Sequence, residues 1–256
     1  MLRLIISFLT LITVLSCNKF DKVMIIGHRG AMGHIAENTI PSINKAMELG
    51  VDGIEIDVFK CKSGELVVFH DERLERLTNS SGFIESLELD SIKNIIVLDK
   101  YRIPTLEEVL QLIDGQVKLN IELKGYGTAS PTNYLINQYN NKGGWTEDKF
   151  IISSFKWDEL EKIRELNMTI PIAVLVNSNV NPIDALPFAK KIKAIAINPY
   201  FKDLNQKNIE KIQSTGLKVF PYTINELDDI ERMIKLGVDA IITDYPERVN
   251  KLKGLF

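Results

Sequence analysis

Gly53-Ile54-Glu55-Ile56-Asp57-Val58-Phe59 is the stretch from which the fold can be read. Ile54, Ile56 and Val58 alternate with Glu55 and Asp57, the two-residue period of a β-strand. Outward from it, short runs rich in Val and Ile recur at 23–27, 117–124, 150–154, 172–176, 194–198, 218–223 and 240–243. With 53–59 they make eight. Segments of helical period lie between most of them, among them 157–166, 205–215 and 226–236, with Gly216 and Gly237 placed to close two of these helices. Strands alternating with helices predict a parallel sheet, and eight strands with seven crossovers predict an α/β fold of the (β/α)8 TIM barrel type. The competing architecture is an open doubly wound sheet. No Gly-rich phosphate loop follows the first strand, which counts against its nucleotide-binding forms.

The connection 60–116 is longer than the others and holds a strand-like piece of its own at 65–69. Ser63-Gly64 is a turn signal, so this piece is expected to fold back on the second strand as a hairpin. A small insertion after the second strand, at the barrel mouth, follows. The 256 residues fit one barrel domain, and 45% hydrophobic with 25% charged content excludes a disordered chain. A balance of 31 basic against 34 acidic residues leaves no field of one sign, so no nucleic acid partner is expected and recognition must come from a local site. The oligomeric state is not legible.

The first twenty residues differ from the rest: Arg3 is followed by an apolar run at 4–15 and then by Ser16-Cys17. That run falls short of the roughly 20 residues a membrane-spanning helix needs and fits an export signal. Val14-Leu15-Ser16-Cys17 resembles a bacterial lipobox. Residues 1–17 are therefore expected to be a lipoprotein-type signal peptide ending at Cys17, the lipidation site, and 18–256 the barrel domain. A plain secretory signal is the alternative. The expected place is outside the cytoplasm, with a lipid anchor to the membrane in the bacterial envelope or periplasm. If Cys17 carries lipid, Cys61 has no partner for a disulfide and is read as a packing residue.

Chemistry gathers at the ends of the first three barrel strands. The first ends in Gly27-His28-Arg29-Gly30; the second carries Glu55 and Asp57 on one face, about 7 Å apart along the chain. The third repeats the spacing with Glu122-Leu123-Lys124. Carboxylates held so close repel unless a cation sits between them, and an all-oxygen donor set favours one divalent cation, Ca2+ or Mg2+, over zinc. Of only three histidines, His28 and His70 lie beside charged residues at predicted strand ends, where imidazoles could serve as acid and base, with Arg29 and Lys124 meeting the charge of a phosphate. A lone strand-end histidine is usually an ordinary polar residue; the conjunction carries the reading. His34 is read as a mouth or surface residue, and Asp244, just before Pro246, as a helix cap.

These residues resemble the glycerophosphodiester phosphodiesterase family. The likeness runs through His28-Arg29-Gly30, Glu37-Asn38-Thr39, the segment 52–58 and Val67-Val68-Phe69-His70-Asp71. It continues in Pro104-Thr105-Leu106-Glu107-Glu108, Asn120-Ile121-Glu122-Leu123-Lys124, Ser153-Ser154-Phe155 and Thr243-Asp244-Tyr245-Pro246. The resemblance implies a (β/α)8 barrel and a metal held by Glu55, Asp57 and Glu122. It implies His28 and His70 as the acid–base pair, with Arg29 and Lys124 on the phosphate. The implied substrate is a small-molecule glycerophosphodiester, split into glycerol 3-phosphate and an alcohol. Ala36, Leu77 and Tyr222 depart from the family pattern; Tyr222 stands where tryptophan is frequent and is a candidate substrate-binding wall. Two other readings are a phospholipase D-type enzyme acting on intact phospholipids and a non-catalytic ligand-binding surface lipoprotein. The intact charge set counts against the last.

Overall fold

The computed structural model describes residues 22–254. The expected signal segment 1–17 and its Cys17 lie outside the described residues. The strands are β1 (Met24–Gly27), β2 (Gly53–Lys60), β3 (Leu66–Val68), β4 (Ile96–Val97), β5 (Tyr101–Arg102), β6 (Lys118–Leu123), β7 (Phe150–Ser154), β8 (Ile172–Val176), β9 (Ala196–Pro199), β10 (Lys218–Val219) and β11 (Ala240–Thr243). Eight of them form a parallel sheet in the order β10-β9-β8-β7-β6-β2-β1-β11. The sheet curls until its two outer strands meet. There Asp239 N–H donates to Val219 O at 3.0 Å, Ile242 N–H to Pro221 O at 3.2 Å and Ile224 N–H to Ile242 O at 2.9 Å, which leaves a nearly closed barrel with helices between the strands. The expected strand 218–223 is regular only as far as Val219, although Phe220 N–H still donates to Ile197 O and Tyr222 N–H to Pro199 O; Pro221 between them has no N–H to give. Beyond it the pairing continues as the single bridge Tyr200 to Tyr222.

Local sequence chemistry sets where the helices begin. Thr39 Oγ1 accepts from Ser42 N at the start of Ile40–Glu48, with Pro41 in the first turn. Thr105 and Glu108 cap the helix Leu106–Ile113 reciprocally, so the motif Pro104-Thr105-Leu106-Glu107-Glu108 is a capping box that ends the insertion and launches a helix. Gly237, at φ 87°, closes Leu227–Leu236. Among the described residues no helix is long and apolar enough to cross a membrane.

The two-residue period sorts the strands' side chains into two cores. Ile54, Ile56 and Val58 of β2 face outward into the large core shared with the helices. Inside the barrel, Ile26, Ile151, Ala173, Ala196 and Phe220 make an apolar plug with Ala240 and Ile242. Further along the same strands the inward positions turn polar: His28 follows Ile26, Ser153 follows Ile151 and Asn198 follows Ala196. The barrel therefore has an apolar lower end and a polar mouth, where barrels of this type place their sites.

The insertion after β2 behaves as expected. β3 pairs antiparallel with β2, Val58 opposite Val68 and Lys60 opposite Leu66. Its own small core includes Phe59, Cys61, Phe69, Leu74, Ile84 and Ile92. Cys61 is buried there as a packing residue.

Phe220→Ala removes the largest side chain of the interior plug and is expected to cost about 3–5 kcal/mol in urea unfolding, because the rigid strand wall cannot collapse into the space. Destabilisation well under 1 kcal/mol would mean that Phe220 does not fill the barrel.

Candidate functional site

β2 and β6 are neighbours, and their register sets Asp57 beside Glu122 and Glu55 beside Asn120. All three carboxylates are buried, with Asp57 1%, Glu55 4% and Glu122 9% exposed. One ligand oxygen from each lies within 4.8 Å of the others. Burial, and then the charges of Asp57 and Glu122, push the Glu55 carboxyl well above the usual carboxylate range. Burial and Asp57 likewise push Glu122 up to about 7, against the pull of Lys124. Burial would raise Asp57 too, but Arg29 and Lys124 outweigh it and hold Asp57 below its ordinary value. Glu55 Oε1 is buried with no hydrogen-bond partner. A hard divalent cation fits this set: three carboxylates, one orphaned oxygen and no thiolate.

The surroundings fix the triad in place. Asn38 Nδ2 donates to Asp57 Oδ2 at 2.8 Å, and Asp57 N–H donates back to Asn38 Oδ1 at 3.2 Å. Arg29 N–H donates to Glu55 Oε2 at 2.9 Å. It can do so because Arg29 and Gly30 both turn left-handed, at φ 50° and 86°. A side chain at Gly30 would strike the Ser42 backbone at 2.6 Å, so only glycine makes this turn. The Arg29 guanidinium donates to Glu37 Oε1 at 2.7 Å, with Nε 3.2 Å from Asp57 Oδ2. Lys124 Nζ lies 2.9 Å from Glu122 Oε1 and 3.8 Å from Asp57 Oδ1.

Each imidazole is held at Nδ1 by a carboxylate. His28 Nδ1 lies 2.7 Å from Asp244 Oδ1, and Asn225 Nδ2 donates to Asp244 Oδ2 at 2.6 Å. His70 Nδ1 lies 2.6 Å from Asp71 Oδ1, and Lys124 Nζ donates to His70 Nε2 at 3.2 Å. Burial disfavours the charged form of His70, and Arg29 and Lys124 add to this against Asp57, so its pKa falls below the ordinary value of 6.5. Asp71 is gripped by Arg76, which also reaches Glu37 in a bidentate pair at 2.8 and 3.0 Å. His28, His70, Arg29, Lys124, Glu55 and Glu122 line one cavity of about 180 Å³ at the mouth. Tyr222 lines it as well. Its hydroxyl donates to Val176 O at 2.7 Å, and its ring meets Phe155 edge to face.

The sequence-predicted site residues within the described range thus share one cavity or border it directly, Asp57 lying behind its wall. One expectation is overturned. Asp244 caps no helix: Tyr245 precedes Pro246–Lys253, which has no side-chain cap, and the Asp244 carboxylate holds His28 instead. Its place beside β11 aligns it with the end of β1, a pairing invisible before strand order is known. Asn225, Glu37, Asn38 and Arg76 were assigned no role from sequence, although Glu37-Asn38-Thr39 stood out as a motif. His34 sits at the surface, 2.9 Å from Glu247.

Residues 28–248 match the model of the Glycerophosphoryl diester phosphodiesterase family. A glycerophosphodiester phosphodiesterase of Caldanaerobacter subterraneus subsp. tengcongensis is 36% identical over 244 residues, covering 90% of this chain and 98% of its own. One from Bacillus subtilis is 31% identical over 259 residues, covering 91% of this chain and 87% of its own. An Oleispira antarctica phosphodiesterase, solved in complex with the product sn-glycerol-3-phosphate, is similar at a TM-score of 0.83 and 26% identity, covering 92% of this chain and 99% of that one.

The crowded triad makes two measurable demands. Because the folded-state pKa of Glu122 is raised from 4.5 to about 7, its contribution to stability is full below 4.5 and is lost as pH climbs through 7 in the metal-free protein. Thermal melts should show that decline, and Glu122→Gln should make it shallower, Glu55 still contributing; an unchanged slope would refute the crowding of Glu122 in the triad. Calcium or magnesium at about 100 times its Kd should raise Tm by about 5–10 °C, and Glu55→Gln should abolish the rise.

Proposed function

The chain belongs to the glycerophosphoryl diester phosphodiesterase family and is a phosphoric diester hydrolase, and we propose that it cleaves glycerophosphodiesters to glycerol 3-phosphate and an alcohol with His28 and His70 as the acid–base pair. One observation carries this reading: two imidazoles, each tied at Nδ1 to its own carboxylate, line the cavity that holds the acidic triad. The glycerol 3-phosphate complex of the Oleispira antarctica relative supports the same product here.

Hydrolysis needs a proton taken from the attacking oxygen and another given to the departing one. His70 suits the first task. Asp71 accepts its Nδ1–H, which makes Nε2 the acceptor facing the cavity, met by Lys124 Nζ at 3.2 Å, and burial with Arg29 and Lys124 favours the neutral ring. His28 is then the donor to the alcohol oxygen, and the Asp244 carboxylate stabilises the positive ring that precedes transfer. Glu55, Asp57 and Glu122 would hold one divalent cation, Ca2+ or Mg2+, which supplies positive charge to the phosphate oxygens when bound. Arg29 and Lys124 keep donors to spare for the phosphate after meeting their carboxylates. Tyr222 is the wall against which the substrate's carbon portion rests. A lipobox-like Val14-Leu15-Ser16-Cys17 supports export and a lipid anchor at Cys17, with the enzyme in the bacterial envelope.

Release of glycerol 3-phosphate from glycerophosphocholine is the direct test. His28→Ala and His70→Ala should each lower kcat by about 10² to 10⁴, and a chelator should abolish turnover. The acid limb of the pH–rate profile should fall below 6.5, since His70 must be neutral to accept a proton. A wild type inert with calcium and with magnesium, or an undiminished His28→Ala protein, would defeat the reading. Palmitate should label the wild type and not Cys17→Ser; equal labelling would refute the anchor.

A further inference from the structure

Beside the charged groups the cavity is lined by three neutral polar side chains that the reaction as described does not use: Asn120, Ser153 and Asn198. They are 3%, 0% and 0% exposed. Asn198 has neither its amide oxygen nor its amide nitrogen hydrogen-bonded, and Ser153 Oγ and Asn120 Oδ1 are likewise without partners among the described residues. An unpaired buried donor or acceptor is costly, and native interiors seldom tolerate several together. Here they come from three strands, β6, β7 and β9, at inward positions, and each gives onto the same space. Register shows how they are stacked. Ser153 lies beside Glu122 and Asn198 beside Leu175, while Ile151 and Ala196, two residues earlier on β7 and β9, belong to the apolar plug. The three form a neutral polar floor against the plug, level with the carboxylates of the triad.

We propose that Asn120, Ser153 and Asn198 form a hydroxyl-binding subsite that takes the glycerol end of the substrate, an inference that rests on the proposed function above. Carboxamide and hydroxyl groups each donate and accept, which matches the double character of an alcohol group. They carry no charge, so they do not suit the phosphate, whose counter-charges Arg29 and Lys124 sit elsewhere on the wall. Leu175, Tyr222 and Ile242 line the same space and offer apolar faces to the glycerol carbons. A cavity of about 180 Å³ has room for a glycerol unit. An acylated glycerol has no hydroxyl to donate, so the acceptor oxygens of the floor would stay unpaired, and sites built for a hydroxyl reject analogues that lack it. The subsite thus favours a glycerol end whose hydroxyls are free to donate.

The test compares inhibition of glycerophosphocholine turnover by glycerol 3-phosphate and by inorganic phosphate in metal-loaded wild type, Asn198→Leu and Ser153→Ala. The subsite requires glycerol 3-phosphate to be the stronger inhibitor of the wild type. In Asn198→Leu its inhibition constant should rise about tenfold or more while that of phosphate stays within about twofold, and Ser153→Ala should show a smaller change of the same kind. The unchanged phosphate constant also reports a folded site. Equal weakening of both inhibitors would assign the floor to ordered water or to structure and overturn the proposal, as would equal inhibition of the wild type by both. A wild type that turns over, with variants indistinguishable from it, would defeat the subsite alone; an inert wild type would defeat the proposed function and the subsite with it.

Discussion

Three carboxylates held within 4.8 Å of one another in a buried setting repel strongly, and the site is organised around that repulsion. Part of it is answered by permanent charge, from Arg29 at the end of β1 and Lys124 just past β6. Another part is answered by neutral donors: Asn38 fixes Asp57, and the Arg29 backbone N–H reaches Glu55. The last contact exists only because Gly30 permits a left-handed turn against Ser42. What remains unanswered, on Glu55 Oε1 above all, is the room the fold leaves for an exchangeable cation.

The insertion after β2 is half of the site. It ends β3 just before His70 and Asp71, so the second imidazole reaches the mouth on a segment outside the eight barrel strands. Arg76, from the same insertion, joins Asp71 to Glu37, and Glu37 in turn meets Arg29. A continuous chain of opposite charges therefore runs from His70 to the turn after β1. Movement of the insertion against the barrel would disturb the imidazole and the guanidinium together. This chain is partly exposed at Arg76, so its value is more in fixing geometry than in raw stability.

How much of this could be read from the residues follows from the range of each interaction. The barrel was legible because Ile54, Ile56 and Val58 against Glu55 and Asp57 state a strand period without knowledge of any neighbour. Glu55, Asp57, Glu122 and Lys124 were legible as candidates because their spacing puts them on one face. Asp244 was misread because its partner, His28, lies 216 residues away and becomes adjacent only when the last strand closes against the first. Residues 220–223 look like strand by composition and still donate to β9 through Phe220 and Tyr222, yet Pro221 has no N–H to offer on its other side, an effect that the apolar pattern conceals. Asn120 and Ser153 stand within motifs visible in the sequence but carry no charge that would suggest a role, and Asn198 is the single polar side chain of β9; nothing local distinguishes an inward orphan from a surface residue.

The apolar plug of Ile26, Ile151, Phe220 and their neighbours has a consequence for traffic. Among the described residues the plug closes the base, so reactant, water and both products share the polar mouth. Whatever seats deepest is admitted first and departs last. With the polar floor beneath and the rim above, the outward half of a cleaved diester can diffuse away while the inward half still blocks the passage. Sequential discharge is then a property of the container's shape, whichever molecule fills it.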